Sequence, residues 1–134
     1  MITDIFNEVP DVRADVAKSP RISEADAWAL ASDPHSYVRA ALAANPNIPA
    51  DLLDRLSKDL DSNVRGAVAR NPSVTPEQSY RLAEDDRTQV IEEVARSIYT
   101  PLELLRKLRS TSGNVWVRQY AKETIKKLSR GSKQ

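Results

Sequence analysis

The chain has 134 residues, of which 40% are hydrophobic and 29% charged, and these values exclude a disordered tail and indicate one globular domain. Its net charge is +1, no apolar stretch is long enough to span a bilayer, and no secretory signal is visible at the start. The absence of cysteine excludes disulfides, thiolate metal sites and cysteine nucleophiles, and it fits a reducing cytoplasm, where we expect the protein to be located.

The first predicted element is a short amphipathic helix at the N-terminus. Ile2, Ile5, Phe6 and Val9 follow one another at i, i+3, i+4 and i+7, the spacing that places apolar side chains on one helical face. We therefore expect residues 1–11 to cap one end of the domain.

A nearly constant sequence motif, the repeated phrase, begins at residue 12 and recurs along the chain. It reads VRADVAKSP, then VRAALAANP from residue 38 and VRGAVARNP from residue 64, each copy starting 26 residues after the last. Partial copies, VIEEVARS and VRQYAKET, begin at residues 90 and 117. A fixed period of this length is typical of stacked repeats, so residues 12–114 are predicted to form the repeats.

Each copy predicts a helix whose buried face recurs at equivalent positions. A valine opens every copy, an apolar residue follows four positions later, and alanine comes next in the first four copies. This spacing places the apolar residues on one face, and the uniform alanine indicates that neighbouring helices approach closely. The opening valines are Val12, Val38, Val64, Val90 and Val117.

A proline turn and a shorter helix are predicted to complete each unit. Thr75 and Thr100 each precede a proline and have Gln or Glu three positions later, which predicts a capping box; Ser23 starts a weaker version. The core anchors of the second helix are Leu30, Leu56, Leu82 and Leu108. Because such units cannot bury their apolar faces alone, we expect an all-α solenoid of about five two-helix repeats.

A longer helix is predicted from Val115, so that residues 115–134 form a C-terminal cap and a basic tail. This segment holds six basic residues against one acidic residue, whereas the first 114 residues have a net charge of −4. An acidic body is a poor match for a phosphate backbone, so only this end attracts anions. The candidate anion-binding cluster consists of Arg118, Lys122, Lys126, Lys127 and Arg130.

The unit DPHSYVRAALAANPNIPADLLDRLSKD at 33–59 resembles the leucine-rich repeat variant family, whose repeats have the form D…VR…VA.NP..P..L..LA.D. The resemblance covers roughly residues 10–110, and it implies a right-handed superhelix in which the shorter helices are partly 3₁₀. A founding type in that family carries a cysteine-ligated iron–sulfur cluster, a property that a chain without cysteine does not share. The pattern is also similar to HEAT repeats, which share the Asp…Val-Arg motif but run to about 40 residues.

Arginine follows the opening valine in four of the five copies, and Ile91 interrupts the column. One interpretation is a row of guanidinium groups that binds phosphates or acidic peptides. The other is a structural ladder in which each arginine pairs with a loop aspartate and ties successive repeats together, as HEAT repeats do. Opposite charges in adjacent registers favour the ladder. Its predicted members are Arg13, Arg39 and Arg65 with Asp33, Asp59 and Asp85.

One column of the second helix does not repeat, and it is the candidate partner-binding surface. Unlike residues at equivalent places do not share one buried environment, so the column is expected to face solvent, and Trp, Tyr and Arg are enriched at interface hot spots. The column consists of Trp28, Asp54, Tyr80 and Arg106. Tyr37 and Trp116 hold a second such position, directly before opening valines. The alternative is that Trp28 covers the N-terminal cap and Trp116 packs under the C-terminal helix.

The sequence offers little for catalysis or for binding a metal or cofactor. His35 is the only histidine, so a catalytic site would have to combine it with Asp33, and no nucleophile motif supports that. The DLDSN stretch at 59–63 opens like a calcium loop but lacks the required glycine and glutamate. We therefore predict a non-catalytic scaffold without cofactor, metal or membrane contact that binds another macromolecule: a protein first, with nucleic acid as the alternative.

Overall fold

A computed structural model describes residues 4–132, and over that range the chain is helical, with no strand. A 3₁₀ turn at Ile5–Asn7 precedes nine α-helices within the described residues. The helices are α1 Pro10–Ala17, α2 Glu24–Leu30, α3 Ser36–Ala43, α4 Ala50–Leu56, α5 Ser62–Arg70, α6 Pro76–Leu82, α7 Thr88–Arg96, α8 Leu102–Thr111 and α9 Val115–Ser132. The all-α prediction is confirmed for this part of the chain. None of the helices between residues 4 and 132 is long and apolar enough to cross a membrane.

The odd-numbered helices pack against one another in chain order. α1 contacts α3, α3 contacts α5, α5 contacts α7, and α7 contacts α9. The even-numbered helices α2, α4 and α6 each pack against both helices that flank them in the chain, and α8 packs mainly against α9. Four pairs of helices followed by the long α9 therefore account for the five copies of the repeated phrase.

The core is built from the columns that the repeat predicts. Val38, Val64, Val90 and Val117 are fully buried, the recurring alanines are at most 1% exposed, and the four anchor leucines are at most 8% exposed. All of them belong to one hydrophobic cluster. Val12 is the exception among these valines, with 36% of its surface exposed, because α1 is the first helix of the stack and packs mainly against α2 and α3.

The N-terminal cap differs from the helix that the spacing predicts. Within the described residues this segment forms only the turn at Ile5–Asn7, in which the Asp4 side chain accepts a hydrogen bond from the Phe6 amide. Ile5 is buried, but Phe6 and Val9 are 46% and 62% exposed. Pro10 begins α1 directly after Val9, which leaves no room for a further turn of helix. Ile2 lies outside the described residues.

The starts of the shorter helices follow the predicted capping in two cases and depart from it in one. Thr75 and Gln78 form a full capping box at α6, and Ser23 caps α2 through the Asp26 amide. The Thr100 hydroxyl instead donates to the Val94 carbonyl, so α8 begins only after Pro101. The shorter helices are regular α-helices of seven residues in α2, α4 and α6, and not the partly 3₁₀ helices that the family resemblance implies.

Candidate interaction surface

Three arginines of the odd-numbered helices pair with aspartates of the following loops. Arg13 Nε lies 2.6 Å from Asp33, Arg39 Nε lies 2.9 Å from Asp59, and Arg65 Nε lies 2.8 Å from Asp85. Each pair spans 20 residues and joins one copy of the repeat to the next. These contacts are the ones that the structural interpretation of the arginine column expects, and we call them the Arg–Asp ladder.

A second bond from each guanidinium fixes the loop before its own helix. Arg13, Arg39 and Arg65 donate through Nη1 to the carbonyls of Glu8, Asp33 and Asp59. At Asp33, burial alone would raise the pKa of the carboxyl, but hydrogen bonds from Arg13 and from the His35 amide outweigh it and hold the pKa below its usual value. The Asp33 carboxylate is therefore charged at neutral pH, and both of its oxygens already accept hydrogen bonds within the domain.

The ladder leaves little of the arginine column for an external anion. The side chains of Arg13, Arg39 and Arg65 are only 7%, 17% and 14% exposed. Arg118 donates to the Ser112 carbonyl in the same manner but has no carboxylate partner among the described residues. A phosphate bound along this column would first have to displace an aspartate from each of the three paired arginines.

Buried asparagines form a second set of contacts between copies. The Asn45 amide donates to the carbonyls of Ala17 and Ser19, and the Asn71 amide donates to those of Ala43 and Asn45. Thr124 in α9 does the same through its hydroxyl, which donates to the Ala95 carbonyl of α7. Asn45 and Asn71 each stand directly before a proline, a position that by itself predicts only the end of a helix. Their recurrence at the 26-residue period was the signal for this further role.

The four residues of the candidate column do not form one continuous exposed surface. Trp28 is partly buried and packs against the hydrophobic core. Asp54 accepts hydrogen bonds from Arg81, Gln78 and Lys58, and the bond from Arg81 is the main reason why its pKa lies below the usual value. Tyr80 and Arg106, the C-terminal members, remain largely open to solvent. The prediction that the whole column faces solvent is therefore wrong at Trp28.

Tyr37 and Trp116 lie on the solvent side of the odd-numbered helices, 47% and 59% exposed. Tyr37 donates through its hydroxyl to Asp11, and Trp116 stacks on Tyr120 with ring centroids 6.3 Å apart. Five other helices separate the two residues along the chain, and α5 and α7 lie between α3 and α9 in the stack, so they do not form one aromatic patch. Trp116 does not pack under α9, because its ring lies on the exposed side of that helix.

Two surface cavities flank α8, and each is lined by one member of the column. Tyr80 lines a cavity of about 230 Å³ together with Ile91, Leu104 and Leu108. Arg106 lines a cavity of about 340 Å³ on the α9 side. The C-terminal half of the column therefore borders concave, partly apolar surface, which is the shape that side chains of a partner fill.

The cavity beside Tyr80 lies where the ladder is interrupted. Ile91 stands in the place of an arginine, and Ser112 stands in the place of its aspartate, because Arg118 donates to the Ser112 carbonyl as Arg39 does to the Asp33 carbonyl. Both line the cavity, so the two halves of one polar contact are replaced together by less polar surface. This cavity therefore has an aliphatic and a hydroxyl side chain at the site where the other copies have an ion pair.

The basic residues of α9 form an exposed cationic surface. Among the described residues no acidic side chain pairs with Lys122, Lys126, Lys127 or Arg130, and all four are exposed. Glu123, the one acidic residue of α9, accepts a bond from Gln119. Arg118 is partly buried and anchored to Ser112, so it belongs to the frame of the domain more than to this surface.

His35 has the surroundings of a structural residue. Its Nδ1 lies 3.2 Å from Arg13 Nη2 and 3.6 Å from Asp33, whose carboxylate already accepts hydrogen bonds from Arg13. The ring also meets Tyr37 edge-on, with centroids 5.6 Å apart. No group of three or more His, Asp or Glu side chains within residues 4–132 is arranged to hold a metal ion.

Comparisons of the chain with protein-family models, with curated proteins and with solved structures find no match. The resemblance to the leucine-rich repeat variant family therefore stays a hypothesis that rests on the repeated phrase itself.

Proposed function

We propose that the protein is a non-catalytic α-solenoid of the leucine-rich repeat variant type that binds another protein through the surface around α8. Support for the solenoid comes from the serial packing of the odd-numbered helices and from contacts that recur at the period of the sequence. In this proposal the helix pairs form a right-handed superhelix and α9 closes its C-terminal end. The Arg–Asp ladder and the asparagines hold the frame rigid, so little conformational entropy is lost on binding.

The observation that carries the proposal is the exposed Tyr80 beside an apolar cavity. The side chain is 43% exposed and makes no hydrogen bond through its hydroxyl in the described residues. Tyrosine at the rim of a concave apolar site is a frequent hot spot, since it buries a large ring at low entropic cost. The packing of the repeats does not require an aromatic residue at this position, because two of the three equivalent residues, Asp54 and Arg106, are not aromatic; the third is Trp28.

Photo-crosslinking tests this proposal. A benzophenone amino acid replaces Tyr80 in one variant and Tyr99 in a second variant, which serves as the control. The Tyr99 side chain is 45% exposed and lines neither of the two cavities that flank α8. We expect a protein partner to be crosslinked through position 80 and not through position 99. An excess of unlabelled wild-type protein should remove this crosslink, and the same excess of Tyr80→Ala protein should not. Equal crosslinking through both positions, or crosslinking to nucleic acid alone, would contradict the proposal.

Nucleic-acid binding through α9 is the second candidate function. Its support is the set of exposed lysines and Arg130 without acidic partners in the described part of the chain, because such cations neutralise phosphates. The Arg–Asp ladder counts against it, since three of the arginines are occupied. If this candidate is correct, the affinity for a duplex DNA fragment should fall steeply as the salt concentration rises. The double variant Lys126→Glu, Lys127→Glu should remove this salt-dependent binding.

A further inference from the structure

The cavity between α8 and α9 has an apolar floor. Leu102, 40% exposed, lines it together with Ile125 and Leu128, both partly buried, while Arg106 and Ser129 complete the wall. We call this cavity of about 340 Å³ the α8–α9 groove. We propose that the groove binds an acidic amphipathic segment of the partner, an inference that rests on the proposed function and names the chemistry of the partner.

Cations border the floor on both helices. On α8, Leu102, Arg106 and Arg109 follow one another at i, i+4 and i+7, so the two arginines lie on the same side of the helix as the leucine. On α9, Lys122 precedes Ile125 by three residues and lies next to it on the helix surface. A chain bound in the groove therefore contacts apolar atoms below and positive charges along both edges.

Most of this positive charge has no counter-charge within the domain. Residues 100–132 hold eight basic and two acidic side chains, whereas residues 4–99 hold 11 basic and 17 acidic side chains. The two acidic residues are engaged locally, Glu103 by Arg106 at 2.9 Å and Glu123 by Gln119 at 3.1 Å. The end of the molecule that carries the groove thus attracts an acidic ligand, and the rest of the molecule repels one.

The apolar floor distinguishes an acidic protein segment from a phosphate backbone. Phosphate and sugar groups gain affinity from cations but gain nothing from an exposed leucine. An amphipathic helix with acidic residues on its flanks places leucine or phenylalanine side chains on the floor and carboxylates on the edges. Leu102 matches the apolar side chains of such a segment, and Arg106 and Arg109 match its carboxylates. A nucleic acid matches only the charges of the two arginines.

Three fluorescein-labelled probes test the inference by anisotropy. The first is an 18-residue peptide with glutamates on one face and leucine or phenylalanine at i, i+3, i+4 and i+7. In the second, serine replaces each apolar residue at the same net charge. The third is a single-stranded oligonucleotide with the same number of negative charges. We expect the first probe to bind at least tenfold more tightly than the other two at physiological salt.

Matched variants locate the binding. Arg106→Glu with Arg109→Glu is expected to weaken the first probe at least tenfold, whereas Lys127→Glu with Arg130→Glu, the same change of charge away from Leu102, weakens it less than threefold. Leu102→Ser is expected to weaken the first probe about tenfold and leave the oligonucleotide unaffected. Because Leu102 is 40% exposed and not part of the buried core, circular dichroism should show an unchanged fold.

Several outcomes would overturn the inference. Equal binding of the leucine and serine peptides, equal effects of the two charge reversals, or tighter binding of the oligonucleotide all show that net charge alone attracts the ligand. Self-association in light scattering without peptide binding shows instead that a second copy occupies the groove. If these probes fail while crosslinking through position 80 persists, the groove is wrong and the proposed function stands; if both fail, the proposed function falls as well.

Discussion

Replacing Asn71 with alanine should be one of the most damaging single changes in this protein. Asn71 is fully buried between α5 and the preceding copy of the repeat. Its amide nitrogen lies 2.7 Å from the Ala43 carbonyl and 3.0 Å from the Asn45 carbonyl, and its oxygen accepts from the Ser73 amide at 2.8 Å. Alanine leaves three buried or partly buried backbone groups without these partners.

The expected loss follows from these three bonds. At about 1 kcal/mol for each hydrogen bond, Asn71→Ala lowers the free energy of unfolding by about 3 kcal/mol. Domains of this size have roughly 5–15 kcal/mol in total. With a urea dependence of about 2 kcal/mol per molar, the midpoint of unfolding moves down by roughly 1.5 M. Asn71→Asp is expected to cost at least as much at neutral pH, because a carboxylate cannot donate to the two carbonyls.

Urea unfolding followed by circular dichroism measures the effect. Asn47→Ala is the matched control, because Asn47 is exposed and takes part in the equivalent turn of the preceding copy, after Asn45, only through its backbone amide. We expect the control to change the free energy of unfolding by less than about 0.5 kcal/mol. A loss below about 1 kcal/mol for Asn71→Ala would refute the idea that the asparagines tie the copies together.

Three further predictions concern charge and the candidate column. The contribution of Asp33 and Asp85 to the free energy of unfolding should be constant above about pH 5 and decrease as the pH falls below it, because the pKa values of both carboxyls are lower in the folded than in the unfolded chain. Urea titrations at pH 7, 4 and 3 check this, and a constant midpoint would contradict it. Trp28→Ala should lower the free energy of unfolding by about 2 kcal/mol because the ring packs on the core, whereas Tyr80→Ala should change it by less than about 1 kcal/mol; differential scanning calorimetry of both variants measures the difference, and equal losses would show that Tyr80 is a core residue. Asp54→Ala should cost no more than about 1 kcal/mol, since its bonds to arginine and lysine are partly exposed, and a larger loss in the same experiment would mean that this network is structural.

The apolar columns could be predicted from the sequence because burial acts on every copy alike. Val38, Val64 and Val90 occupy one environment three times, so their recurrence reports the core directly. Val12 shares the pattern but not the environment, since burial at this position requires a preceding helix of the same kind. A burial pattern inferred from the central copies of the repeat therefore overestimates burial in the first copy.

Polar residues were harder to predict because their partners are set by geometry between elements. Thr75 and Thr100 have nearly the same local sequence, yet only Thr75 caps a helix, because the Thr100 hydroxyl reaches the Val94 carbonyl first. The groove next to Arg106 depends on how α9 lies against α8, and α9 has 18 residues where the equivalent helices of the earlier copies have eight or nine. No periodic signal in one chain reports a feature that occurs once.

The Arg–Asp ladder has a consequence for how such a chain changes in length. Each pair reaches only to the adjoining copy, so an in-frame duplication or deletion of 26 residues carries a complete set of donors and acceptors with it. A variant with one internal unit added between residues 38 and 64 would therefore keep every arginine and aspartate of the ladder paired, while the distance between its N-terminus and its basic C-terminal helix increases. The length of the array is in this way adjustable without redesign of the ladder.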